Sequence, residues 1–126
     1  MPVSSKELLA AANAAVQKIS PQDAAALIGK DNVLIVDVRD GLELQNTGKV
    51  AGAKHVPRGI IEFKADPDSQ YHDKAFESGK TVLVYCASGG RSALAGKTLQ
   101  DMGYKDVRNL GAFKDWVESG GAVAKI

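Results

Sequence analysis

Apolar positions along this chain fall into short runs broken by glycine and proline, and the period of the runs changes from one to the next. Leu8, Leu9, Ala12, Ala15 and Val16 recur at helical spacing. They predict an amphipathic helix within residues 1–18, an N-terminal extension ahead of one domain over 19–126. Ser20-Pro21-Gln22-Asp23 reads as a helix start, with a hydroxyl cap, proline in the first turn and an acid behind it; that helix stops at Gly29. Val33 to Val36 is a continuous branched run, as expected of a strand buried on both faces. A short helix over 41–45, a turn over 48–52, a strand at Lys54-His55-Val56 and a helix around Ile60, Ile61 and Phe63 follow. Asp73 to Glu77 reads as one more short helix. Thr81 to Tyr85 is the strongest strand, then come a helix over 92–102, a strand over 107–110 and a helix over 113–118. Strands alternating with helices predict an α/β fold: a mainly parallel sheet of four or five strands with helices on both faces.

Composition narrows the functional classes. The 126 residues (13.2 kDa) suit one domain, and 44% hydrophobic residues suffice for a core. A net charge of +1 argues against a dedicated nucleic-acid binder. No apolar stretch is long enough to span a membrane, and Lys6, Glu7, Asn13 and Gln17 interrupt any secretory h-region. A single cysteine cannot form an internal disulfide or a cysteine-rich zinc site. The expectation is a cytoplasmic domain without partners among membranes or nucleic acids.

That cysteine, Cys86, follows the strongest strand and precedes Ala87-Ser88-Gly89-Gly90-Arg91-Ser92, which opens a helix. In a parallel sheet, ligand sites lie beyond the carboxyl ends of the strands. Small residues there let successive N–H groups turn toward one point, and the helix adds free donors. A thiol at such a point ionises more easily, with Arg91 as a further source of positive potential. The 23 residues from Ser78 to Gln100 contain no acid, but include Lys80, Arg91 and Lys97. The bland alternative is that Cys86 is a small buried hydrophobe.

The loop Cys86-Ala87-Ser88-Gly89-Gly90-Arg91-Ser92 resembles the C-x-x-G-x-R-S active-site loop of the rhodanese sulfurtransferases. Asp37-Val38-Arg39 is similar to the family's D-x-R element. Gly48 to Ala53 with Val56-Pro57 resembles its G-H-I-x-G-A-x-x-x-P segment, and Asn109 to Phe113 with Trp116 resembles its L-x-G-G-x-x-x-W signature. Lys49 and Ala112 depart from the usual His and second Gly. The resemblance runs over about residues 19–121 and implies a rhodanese-like fold. It also implies sulfane-sulfur transfer from thiosulfate or a similar small anionic donor to an external thiol or cyanide, through a Cys86 persulfide. It implies no cofactor. Two other classes are weighed. A phosphatase or arsenate reductase would use a similar Cys–Arg loop, but with C-x5-R spacing where this chain has C-x4-R. A non-catalytic rhodanese-like binding module would typically lack the cysteine.

Residues expected to bind substrate are Ala87, Ser88, Gly89, Gly90, Arg91 and Ser92, together with Arg58, which rests on a narrower likeness to one single-domain subgroup. Asp37 and Arg39 are expected to support the loop. His55 and His72 lack a spaced partner, so no metal site is expected. Trp116 reads as core.

Overall fold

The computed structural model describes residues 2–126. In chain order the elements are α1 (Ser5–Ala15), β1 (Gln17–Lys18), α2 (Pro21–Leu27), β2 (Val33–Asp37), α3 (Gly41–Thr47), β3 (Lys49–Val50), β4 (Lys54–His55), a 3-10 turn (Arg58–Ile60), α4 (Ile61–Ala65), β5 (Thr81–Cys86), α5 (Gly90–Asp101), β6 (Asp106–Ala112), α6 (Phe113–Glu118) and β7 (Val123–Ala124). Five strands form one parallel sheet in the order β1-β6-β5-β2-β4, and β3 pairs antiparallel with β7. The expected α/β architecture is the one observed.

Alternation along the central strands divides the core. Val36, Val82, Val84 and Cys86 face Ile61, Ala95 and Leu99 of α4 and α5. Ile35, Leu83 and Tyr85 face Ala24 of α2 and Phe113 and Trp116 of α6. Helices therefore cover both faces, as buried parallel strands require. Trp116 is core, and its Nε1–H donates to the Ala122 carbonyl at 2.9 Å, tying down the tail that carries β7.

The start signal read at Ser20 operates as expected, and α1 carries an equivalent cap that the sequence reading did not pick out. Ser20 Oγ accepts the Asp23 N–H at 3.1 Å, and Ser4 Oγ accepts the Glu7 N–H at 3.1 Å. The N-terminal segment is more than a helix. It ends in Gln17–Lys18, which pair with Arg108 and Asn109 as the sheet's edge strand. Helix α1 packs on α5, where Gly96 admits Val16 to the position its own Cβ would crowd, 3.1 Å from Val16 Cγ1.

Two expectations are corrected. Residues 73–77 form no helix: the Asp73 carboxylate takes the Ala75 N–H at 2.9 Å and its carbonyl takes the Phe76 N–H at 3.0 Å. An aspartate bonding its own backbone in this way competes with helix. The turn read over 48–52 holds strand β3, whose partner β7 lies more than 70 residues further on, beyond the reach of local pattern. Lys49, standing where the family has His, donates from Nζ to the Ala53 carbonyl at 2.6 Å across this turn.

Candidate active site

Cys86 ends β5, the middle strand of the sheet, and the chain then turns through Ala87 to Gly89 into α5. The turn depends on Gly89, whose φ is +97°; a Cβ there would also approach the Gly111 backbone to 3.4 Å. The geometry aims N–H groups at the sulfur. Gly89 N–H donates to Sγ at 3.0 Å, and Ser92 Oγ lies 3.5 Å from it. Cys86 is fully buried. Burial raises the pKa of its thiol, but hydrogen bonding to the sulfur, with the N–H groups of Ser92, Ser88 and Gly89 among the donors, more than offsets that, so the thiol sits below its ordinary range. The bland reading of Cys86 is half right: it is buried, and it is not in an inert setting.

The loop is braced from two sides. On one, Ser92 Oγ–H donates to Asn109 Oδ1 at 2.7 Å, and Asn109 Nδ2 donates to the Gly89 carbonyl at 3.1 Å. On the other, Arg91 makes a two-pronged ion pair with Glu43 on α3, Nη1 to Oε1 at 2.6 Å and Nη2 to Oε2 at 3.0 Å. Glu43 also accepts the Asp40 N–H at 3.0 Å. The hydrogen bond from Arg91 is the main reason its carboxyl is lowered to a pKa of about 2. The acid-free stretch of sequence is thus not an acid-free site. Glu43 neutralises Arg91 from another element, and Lys97 is paired with Asp101 at 2.7 Å.

Asp37 and Arg39 form a buried knot beside the loop. Arg39 Nη2 donates to Asp37 Oδ2 at 2.7 Å and to the Gly48 carbonyl at 2.8 Å, while Nη1 reaches Thr47 Oγ1 at 2.9 Å. The guanidinium lies 4.4 Å from the Phe113 ring centroid and 5.7 Å from that of Tyr85. It links the ends of β2 and α3 to α6. Arg58 is held elsewhere, by Glu62 at 3.0 Å and by Thr98 Oγ1 at 3.2 Å. Thr98 lies about two turns along α5 from the loop, so the Arg58 head is not gathered with the cradle. Ala87 and Ser88 are exposed, Gly89, Gly90 and Arg91 half-buried, and Ser92 fully buried.

Cavities flank the loop. One of about 400 Å³ opens toward α1 and α6 and is lined by Asn13, Lys18, Ser88, Gly89, Asn109 and Asp115. Another, of about 280 Å³, is lined by Arg39, Glu43, Thr47, Ala87 and Phe113. The histidines serve the backbone: His55 Nε2 lies 2.6 Å from the Arg39 carbonyl and His72 Nε2 lies 3.2 Å from that of Phe76. Among the described residues, no cluster of three His, Cys, Asp or Glu side chains could hold a metal ion.

Sequence reasoning missed Glu43 and treated Asn109 only as part of a signature. Glu43 carries a local signal, three residues into a helix after Asp40, but its pairing with Arg91 crosses 48 residues.

Comparison with known proteins agrees with this fold. Residues 20–119 match the rhodanese-like domain model. The chain is 32% identical over 120 residues to a thiosulfate:glutathione sulfurtransferase of Saccharomyces cerevisiae, covering 84% of this chain and 81% of the yeast protein. The solved polysulfide-sulfur transferase homodimer of Wolinella succinogenes is 34% identical, with a TM-score of 0.77 over 96% of this chain and 87% of that one. A protein of unknown function from Rhodopseudomonas palustris, described as a "possible tyrosine phosphatase", is 40% identical, with a TM-score of 0.90 over 98% and 96% of the two chains. The chain belongs to the rhodanese-like domain family. Its sulfurtransferase relatives support sulfurtransferase activity, and no helix of the described residues is long and apolar enough to cross a membrane.

Proposed function

We propose that this protein moves sulfane sulfur from thiosulfate, or a similar small anionic donor, to an external thiophile through a persulfide on Cys86. The observation that carries the reading is the Gly89 N–H held 3.0 Å from Sγ at the carboxyl end of the central strand. In the first step the Cys86 thiolate attacks the outer sulfur of the donor. The sulfur–sulfur bond of thiosulfate breaks, sulfite leaves with the electron pair, and the new bond makes the persulfide. A thiol or cyanide then attacks the outer sulfur, and the Cys86 thiolate is the leaving group. The backbone of Ala87 to Ser92 would surround the transferred sulfur, whose charge amide donors can stabilise without reorganising. Arg91, already bound to Glu43, would act as the tether of the loop, while Asp37 and Arg39 would brace it from β2. Arg58 would reach the donor only by leaving Glu62 and Thr98. The lone thiol fits a reducing compartment such as the cytoplasm.

A phosphatase reading has one observation in its favour, the description of the Rhodopseudomonas palustris neighbour. Against it stand the four-residue spacing between Cys86 and Arg91 and the commitment of Arg91 to Glu43, which leaves its guanidinium unfree to clamp a phosphoryl group. Intact-protein mass spectrometry after incubation with thiosulfate tests the proposal. The wild-type chain should gain the mass of one sulfur atom and lose it on adding cyanide or a thiol, and Cys86→Ser should gain none. Turnover of an aryl phosphate without sulfur loading would reverse the assignment.

A further inference from the structure

The geometry points to Asn109 as a positioning residue for Cys86: its amide turns the Ser92 hydroxyl so that an oxygen lone pair, not the proton, faces the resting sulfur. This deepens the reading of Cys86 as the reacting atom and rests on it.

Asn109 reaches the loop because β6 is irregular there. Val84 is opposite Asn109 and Tyr85 opposite Gly111, so Leu110 is an extra residue in the strand. Asn109 itself is 6% exposed. Three hydrogen bonds fix which way its amide points. Oδ1 accepts from Ser92 Oγ–H at 2.7 Å and from Gly111 N–H at 2.9 Å, while Nδ2 donates to the Gly89 carbonyl at 3.1 Å. Flipping the amide would set NH2 against the Gly111 N–H and oxygen against the Gly89 carbonyl, so the acceptor must face Ser92.

Ser92 has one hydroxyl proton and two claimants. Asn109 Oδ1 lies at 2.7 Å, a full-strength O–H···O distance, whereas the Cys86 sulfur is 3.5 Å away. The proton therefore goes to Asn109. The thiol can then donate to the Ser92 oxygen, making a relay from Sγ–H to Oγ–H to Oδ1. A thiolate, by contrast, meets a lone pair unless Ser92 gives up Asn109. The resting thiol is favoured over the thiolate by this arrangement, and the backbone donors supply the opposing pull. A persulfide changes the balance, because its charge sits on the outer sulfur and the inner sulfur no longer needs the Ser92 proton. Asn109 would thus restrain the empty site without opposing the loaded one.

Several charged groups on the elements packed around Cys86 are paired with one another: Arg91 on α5 with Glu43 on α3, Lys97 with Asp101 on α5, Asp37 with Arg39 after β2, Arg58 with Glu62 on α4, and Asp106 with Arg108 at the far end of β6. Lys64 on α4, Lys18 of β1 and Asp115 of α6 enter no salt bridge among the described residues, the last two lining the cavity beside Ser88 and Asn109. None of them bonds to Asn109, so a neutral substitution there leaves them in place.

The test is the pH profile of Cys86 alkylation by iodoacetamide, which reads the thiolate without any sulfur donor. Asn109→Ala should release the Ser92 proton to the thiolate and move the profile down by about half a unit to one unit, roughly three- to tenfold more thiolate below the midpoint. Asn109→Asp keeps the acceptor for Ser92 and adds a negative charge, so it should move the profile up. In a Ser92→Ala background, Asn109→Ala should have no further effect. An unchanged profile in both Asn109 variants, or an equal shift in the Ser92→Ala background, overturns the inference. Failure of wild-type protein to take up sulfur from thiosulfate would instead overturn the proposed function, and the alkylation profiles would still decide the role of Asn109.

Discussion

Replacing Glu43 by Gln isolates the ion pair that pins the active-site loop to α3. The carboxyl accepts two bonds from Arg91, at 2.6 and 3.0 Å, and its pKa falls from 4.5 to about 2. That lowering corresponds to roughly 3.4 kcal/mol, at about 1.36 kcal/mol for each tenfold change in proton affinity. The side chains of Arg91 and Glu43 are 37% and 32% exposed, so solvent screens the pair and the retained contribution is about 1 kcal/mol. Because the carboxylate pKa is depressed by folding, this stabilisation is fully present above the unfolded value and is lost as pH falls toward the folded one. Urea unfolding of wild type and Glu43→Gln should therefore differ by about 1 kcal/mol near neutral pH. The gap should narrow below about pH 4.5 and close near about pH 2, with the urea m values unchanged. A gap that is the same in mild acid as at neutral pH would mean that shape, not charge, holds the loop. No gap at any pH would refute the tether.

Three further outcomes are expected. Arg39→Ala should cost about 3–5 kcal/mol, measured by urea unfolding, since it strands the fully buried Asp37 carboxylate; a loss under about 1 kcal/mol would mean that water reaches the knot. Val16→Ala and Gly96→Ala should each destabilise, but the double variant should lose at least about 1 kcal/mol less than their sum, because the new methyl fills the space Val16 vacates; additivity would show that α1 and α5 are not in register. Because Cys86 has no exposed surface, a bulky aromatic disulfide should react far more slowly with it than iodoacetamide does, relative to a free small thiol in the same assay; equal ratios would mean that the loop opens freely.

The strand–helix alternation was legible because buried parallel strands are written as unbroken branched runs, and Val33 to Val36 and Thr81 to Tyr85 are both of that kind. The cap of α2 was legible because Ser20 acts on an N–H group three residues away. The pieces that escaped are short or distant. Gln17–Lys18 is two polar residues whose strand character comes entirely from Arg108 and Asn109, and β3 exists only because β7 lies beside it. Asp73 misled for a local reason, since the same side chain that can begin a helix also closes a turn on Ala75.

The candidate site was legible down to the placement of Cys86 and its loop and illegible in its electrostatics, and the difference has a physical cause. Loop position and glycine placement are properties of contiguous residues, so Cys86 and Gly89 could be found in order. Potential at the sulfur is a property of space. Arg91 looks like free positive charge when the nearest acids in sequence are Glu77 and Asp101, yet Glu43 binds it at 2.6 Å. Once that cation is spent, what remains near Sγ are dipoles: the N–H groups of Ser88, Gly89 and Ser92, and a hydroxyl whose proton is turned to Asn109. Dipoles fixed by the backbone act over a few ångströms and are little screened by salt, whereas free charge would act from further off and be screened within about 8 Å at physiological ionic strength. On the proposed reading, a loop built this way would favour a sulfur atom already seated in it over anions at a distance, so the shape of the cradle, more than its net charge, would be the source of its selectivity.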